Sequence, residues 1–232
     1  MWEAARSTVT RERIVIKLSG KVFGDSPGEI RRHAAMLAEV SKQVQLVVVA
    51  GGGKVARHYI DLAREFGSDE ATLDTIGIEV SRLNAKLVLA ALGDKAYPAV
   101  PTDLEAVASA AASGKIVVTG GLHPGQSTNA TAALIAEKVR ASKFLNATDV
   151  EGIYDLDPNK NKNARLFKEI TVKKCIELLV SENSAAGSYN LMDIVALKVI
   201  QRSRIPTVVL KSDVTAIRNA IDGRATGTRI VF

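Results

Sequence analysis

Three basic residues and three glycine-marked turns carry the chemistry legible in this sequence. Lys17 closes the apolar run "RIVIKLSG", and Lys21 lies just beyond the turn that follows. Arg57 falls on the first turn of the helical pattern after Gly51-Gly52-Gly53. The turns are Ser19-Gly20-Lys21, the triple glycine, and the stretch from Gly120 to Thr128, each placed between a strand-like and a helical segment. Glycines permit positive φ and let backbone amides approach an anion closely, and a helix N-terminus attracts negative charge. Taken singly, each signal is weak, since a strand-to-helix glycine is more often plain turn chemistry. A lysine ending a buried strand can simply snorkel to water. Together they describe several anion sites on one sheet, each with a cation nearby. Two phosphorylated ligands meeting end to end need that arrangement. The matching chemistry is phosphoryl transfer, which asks for positioning and charge neutralisation rather than covalent help.

The segment "VVTGGLHPGQSTNATAALIAEK", residues 117–138, nearly spells a phosphate loop. The motif G-x-x-x-x-G-K-[ST] requires lysine where this chain has Gln126, and a neutral amide cannot supply that charge. No apolar strand visibly ends in a magnesium-binding aspartate, which also argues against a phosphate-loop NTPase. A dinucleotide fold needs a strand ending in an acid about 20 residues after its glycines. After Gly53 come two helical stretches, so that reading fails as well.

The elements that must position these residues follow from periodicity. Runs such as "RIVIKL", "LVVVA", "KIVVT", "SKFLNAT", "IPTVVL" and "GTRIVF" read as strands. "EIRRHAAMLAEVSKQ", "KVARHYIDLAREF" (stopped by Gly67), "DEATLDTIGIEVSRLNAKLVLAAL" and "LMDIVALKVIQRS" read as helices. Val- and Ile-rich strands alternating with helices predict an α/β fold, a mostly parallel sheet covered on both faces. Residues 1–12 read as a loose extension and 13–232 as a single domain. A soft division near residue 140 separates two halves, about 13–140 and 141–232.

Bulk composition narrows the partners. The 232 residues are 47% hydrophobic and 24% charged, as in ordinary globular domains. Aromatics make up only 4%, too few for stacking single-stranded nucleic acid. The net charge of +6 is concentrated after residue 116, and includes Lys160, Lys162, Arg165, Lys168, Lys173 and Lys174. Such a run without interleaved aromatics reads as a solvated face, not a nucleic-acid site. The single Cys175 excludes an internal disulfide, and its setting "VKKCIELLV" reads as a half-buried helix with an inert thiol. No apolar run reaches membrane-spanning length and no signal-peptide core is evident, which points to a cytoplasmic protein. No metal-ligand cluster stands out.

"KLSGK", "GGGKVARHYI", "LDTIGIEVSRLNA", "TGGLHPGQSTNATAALIAE" and "NATDVEGIYDLDP" together resemble the amino acid kinase superfamily. Within it they resemble the uridylate (UMP) kinases of archaeal type, from about Arg13 to the C-terminal "GTRIV". The triple glycine is common across the superfamily, whereas "STxATAA" with "NATxVxGIYDxDP" is much more specific to UMP kinases. The resemblance implies an αβα sandwich, UMP in the N-terminal half, ATP in the C-terminal half, magnesium carried mainly on the ATP phosphates, and a homohexamer. It implies a role in pyrimidine nucleotide synthesis. By position, Lys17 would stabilise the transferring group, with Gly20 and Lys21 beside the ATP phosphates. Gly52 would face UMP and Gly53 ATP, and Arg57 would steady phosphates where they meet. Asp74 would accept hydrogen bonds from the UMP ribose. The loop Leu122, His123, Pro124, Gly125, Gln126, Ser127 and Thr128 would wrap uridine and its phosphate. Thr148, Tyr154 and Asp157 would line the ATP nucleoside pocket. On this reading Gln126 is no defect: the near-phosphate loop holds the acceptor nucleotide.

One position departs from the family pattern. Many relatives carry aspartate where this chain has Asn129, which removes a charge that could orient the catalytic lysine. Superfamily neighbours phosphorylate isopentenyl phosphate, carbamate or carboxylates, and a regulator that keeps the fold without catalysis is a further alternative. The isopentenyl phosphate kinases use a histidine soon after the triple glycine. His58 lies near there but directly follows Arg57, so it points elsewhere on the helix.

Overall fold

The computed structural model describes residues 11–24, 26–182 and 192–232. Residues 1–10 of the expected extension, and Leu191 at the head of the last expected helix, lie outside the described residues.

The first strand, β1 (Arg13–Leu18), pairs in parallel with β2 (Gln45–Ala50) on one side and β4 (Lys143–Thr148) on the other. Beyond β2 lies β3 (Val117–Thr119), and beyond β4 come β6 (Thr207–Lys211), β7 (Thr228–Val231) and β5 (Glu169–Thr171). The sheet order is β3-β2-β1-β4-β6-β7-β5, with only the β6–β7 pair antiparallel. The chain winds outward through β1, β2 and β3, then returns to place β4 on the other flank of β1. This reversal creates a switch point, where the carboxyl ends of β1, β2 and β4 frame a crevice.

The helices that cover the sheet are α1 (Pro27–Val40), α2 (Gly53–Glu65), α3 (Glu70–Leu92), α4 (Leu104–Ala111), α5 (Thr128–Lys138), α6 (Val172–Glu182), α7 (Ile194–Ser203) and α8 (Val214–Ile221). Side chains alternate across a strand, and the two faces feed separate cores. Val15, Val47, Val49 and Phe144 join α4, α5, α6 and α7 on one face. Ile14, Ile16, Leu46, Val48 and Leu145 join α1, α3 and α8 on the other. The αβα architecture agrees with the periodicity. The helices α4 and α8 and the strand β5 escaped it: two eight-residue helices and a three-residue edge strand are too short to show a period.

Asp69 caps α3, its Oδ1 accepting from the Thr72 amide at 3.0 Å. Capped this way, α3 runs 23 residues along the crevice and supplies much of its scaffolding. Gly67, at φ 79°, ends the preceding helix where the sequence places its stop.

Candidate active site

At the switch point a cavity of about 320 Å³ is lined by Lys17, Ser19, Gly20, Lys21, Gly51, Gly52, Gly53, Arg57, Thr128, Thr148 and Asp149. All three expected cations therefore meet there. Lys17 continues the alternation of Val15 and so leaves β1 on the α5 face, beside its register partner Asn146 on β4. Lys21 follows the Ser19 turn, where the serine hydroxyl accepts from the Lys21 amide at 3.3 Å. Arg57 is exposed on α2 and makes no ion pair with a described residue.

The two glycine turns touch backbone to backbone. A Cβ on Gly20 would lie 2.1 Å from the Gly53 amide nitrogen, and Gly53 itself has φ +70°. Any side chain here would push the turns after β1 and β2 apart. Because Gly52 caps α2, no side chain covers the first amides of that helix, and an anion can take them. On α3, Asn84 donates to the carbonyls of Gly51 at 2.8 Å and Gly52 at 3.3 Å, which fixes the triple-glycine turn from below.

Asp149 corrects one expectation. It directly follows Thr148, the last residue of β4, so an apolar strand does end in an acid at the crevice. Polar Asn146 and Thr148, both buried, disguise the strand end in the sequence. Asp149 Oδ2 lies 2.6 Å from Lys21 Nζ. Burial pushes its carboxyl upward, but the hydrogen bond and charge of Lys21 together hold it below the ordinary aspartate range. Lys17 is also shifted down, but there the charged form is the one disfavoured: burial lowers its pKa to about 8, with the negative charge of Asp149 opposing.

The loop before α5 borders this cavity without lining it, apart from Thr128. Its anchors lie on α3. Gly125 donates to Asp74 Oδ2 at 2.6 Å, and Gly121 donates to the Ser81 hydroxyl at 2.7 Å. Gly120 packs against Ser81 and Arg82, where a Cβ would lie 2.5 Å from the Ser81 hydroxyl and 2.6–2.7 Å from their backbone. Leu122 is in the core, so only its backbone faces the loop interior, whereas His123 and Pro124 are exposed. The Gln126 side-chain oxygen is buried with no hydrogen-bond partner among the described residues. Ser127 caps α5, accepting from the Asn129 and Ala130 amides at 3.0 Å, and its hydroxyl donates to Asp193, the N-cap of α7.

Tyr154 and Asp157 stand apart from the cavity lining, in the turn region after β4. Tyr154 bridges to Leu166, and Asp157 accepts from the Asn159 amide at 2.9 Å in a local turn. Thr148 lines the cavity, with its hydroxyl directed to Leu210 and Val150 carbonyls. Asp149, Ser81, Asn84 and Asp193 were not legible as site residues; only the acid after "FLNAT" left a usable trace. His58 is exposed and tilts against Tyr59, with ring centroids 5.7 Å apart. Cys175 is buried, which raises its thiol to about 12 and makes it unreactive. The six basic residues from Lys160 to Lys174 are all exposed. No helix among the described residues is long and apolar enough to cross a membrane.

A sequence model of the amino acid kinase family matches residues 12–211. A uridylate kinase of Methanobrevibacter smithii is 40% identical over 222 residues, covering 94% of this chain and 99% of that protein. A uridylate kinase of Thermococcus kodakarensis is 41% identical, covering 93% and 98%. Among solved structures, uridylate kinase from Archaeoglobus fulgidus superposes with a TM-score of 0.85 at 38% identity, covering 94% and 99%. A family match over most of the length, with relatives near 40% identity end to end, settles the affiliation: the chain belongs to the amino acid kinase family.

Proposed function

We propose that this protein is a uridylate kinase, transferring the γ-phosphate of ATP to UMP and giving UDP and ADP for pyrimidine nucleotide synthesis. The observation that carries the reading is the meeting of Lys17, Lys21 and Arg57 in one cavity at the switch point, between the Asp74-anchored loop and the end of β4. The relatives' name gives the acceptor.

On this reading the acceptor loop, with Leu122 contributing backbone, holds UMP, and Gly52 faces its phosphate. Gly20, Lys21 and Gly53 cradle the ATP phosphates, while Thr148, Tyr154 and Asp157 bound the nucleoside side. Lys17 neutralises charge developing on the transferring phosphoryl oxygens, and Arg57 holds phosphates in line. The uncapped amides of α2 add donors at the same place. Magnesium, when bound, would supply neutralising charge for the ATP phosphates. Among the described residues no cluster of three or more potential ligands exists, and Asp149 is the one carboxylate lining the cavity. That donor set suits an ion carried mainly by phosphate oxygens and water, with Asp149 as its one protein ligand.

A homo-oligomer fits the surface of α2, where Val55, Tyr59, Leu62 and Phe66 stay exposed at i, i+4, i+7 and i+11. An apolar stripe of this kind suits a second copy of the chain, as in the hexamer that the resemblance implies. The lone inert thiol accords with a reducing cytoplasm.

The test is ADP formation by purified protein offered UMP, CMP, glutamate and isopentenyl phosphate in turn. UMP should be turned over fastest. Preference for any other acceptor would replace this assignment.

A further inference from the structure

The acceptor loop is held at its entry as well as at Gly125. Arg82 on α3 donates from Nε to the Gly121 carbonyl at 3.1 Å and from one terminal nitrogen to the Leu122 carbonyl at 3.3 Å. That nitrogen also reaches the Thr102 carbonyl at 3.3 Å, ahead of α4, and the other terminal nitrogen pairs with Glu79 at 2.9 Å. The Arg82 side chain is only 19% exposed, against 64% for Glu79. Gly121 and Leu122 are themselves buried, so their carbonyls have little water to turn to if the guanidinium leaves.

We infer that Arg82 is a positioning residue for the acceptor nucleotide, clamping the start of the 120–128 loop in the geometry that Asp74 completes at Gly125. The inference rests on reading that loop as the UMP loop. Its physical basis is the guanidinium fork. One rigid planar group ties three carbonyls from two separate segments to α3, a set that a lysine ammonium on a flexible stem cannot span. The same helix fixes the triple-glycine turn through Asn84, so Arg82 sets the acceptor loop in register with the phosphate turn. A displacement of the loop entry reaches Ser127 and Thr128 a few residues on. Small misplacements of a reacting group can cost about 100-fold in rate.

The experiment compares full-length wild type with Arg82→Met, Arg82→Lys and Glu79→Gln. Kinetics are measured with each substrate varied, and amide hydrogen exchange is followed in the ligand-free protein. Arg82→Met should raise the KM for UMP about 10- to 100-fold while the KM for ATP stays within about twofold. Arg82→Lys should recover part of that loss. Glu79→Gln, which removes the ion pair but none of the carbonyl bonds, should behave as wild type. The Gly121 and Gly125 amides, bonded to Ser81 and Asp74, should lose protection in Arg82→Met, whereas those of β1 and β2 keep theirs. Wild-type KM values for UMP in a folded Arg82→Met or Arg82→Lys protein would overturn the proposal. So would equal rises for both nucleotides, or unchanged exchange in the loop. If wild type does not phosphorylate UMP, the functional reading fails first, and the exchange measurement still decides whether Arg82 clamps the loop.

Discussion

Lys21 Nζ and Asp149 Oδ2 lie 2.6 Å apart, joining the turn after β1 to the residue that follows β4. The two side chains are 58% and 34% exposed, so the pair adds little to stability. Its weight is electrostatic. Asp149 keeps Lys21 in the cavity without ligand and supplies the negative charge that partly offsets the burial of Lys17.

Asp149→Asn should therefore leave the melting temperature almost unchanged, since exposed pairs contribute about 0–1 kcal/mol. The Lys17 pKa should fall below its value of about 8, because the opposing charge is gone and burial remains. Titration of the lysine side-chain resonances by NMR measures this directly. An identical Lys17 titration in both proteins would show that Asp149 does not act on it.

Lys17→Ala should fold, bind ATP and transfer phosphate poorly. Losing one preorganised donor to developing charge costs about 2.7–4 kcal/mol, or about 10²–10³ in kcat. A pH signature accompanies it. The folded-state pKa of Lys17, about 8, lies below the unfolded value near 10.5, so between these two the unfolded chain binds more protons. Stability contributed by this group therefore rises as pH climbs from about 8 to about 10.5, and below about 8 its full penalty applies. The difference in unfolding free energy between wild type and Lys17→Ala should shift across that window in favour of wild type. A flat difference across it would mean that the ammonium is not desolvated in the fold.

The sheet and its long helices were readable because each spans several periods of an apolar pattern. The three cations that line the cavity were readable because charge at the end of a buried strand, or just past glycines, is locally anomalous. Arg82, Ser81 and Asn84 were not, since each is an ordinary polar residue on a long helix until the loops that it bonds are folded against it. Their loop partners are backbone groups 20 or more residues away, and backbone groups leave no trace in residue identity. Asp74 shows a mixed case. The family resemblance singles it out, but its contact leaves no local signal: Asp69 caps α3, while Asp74 reaches across to Gly125.

That contact sharpens what Asp74 should do. Oδ2 is engaged by the Gly125 amide, which leaves Oδ1 to accept from a ribose hydroxyl of UMP. A charged acceptor left without its donor costs on the order of 1–3 kcal/mol, so UMP should be preferred over deoxy-UMP by about 5- to 150-fold in kcat/KM. Asp74→Ala should erase the preference and raise the KM for UMP, with the KM for ATP nearly constant. Asp74→Asn keeps an acceptor for Gly125 and should fall between. A preference that survives in Asp74→Ala would leave the carboxylate as a loop anchor alone.

Phe66, 85% exposed at the end of α2, tests the assembly. An aromatic so open on a monomer gains nothing from the fold around it, so its replacement by glutamate should leave intrinsic stability within about 0.5 kcal/mol. In an interface the same ring would be an anchor, and removing one typically costs about 2–4 kcal/mol of association. The dissociation constant should then rise about 30-fold or more, and further when Tyr59→Glu is added on the same stripe. Light scattering behind size exclusion, run across a dilution series, reads the mass directly. Wild type should hold a multiple of the 24.7 kDa chain at concentrations where the double variant has dissociated. If the two proteins show the same mass at every dilution, this face of α2 is not where the copies meet.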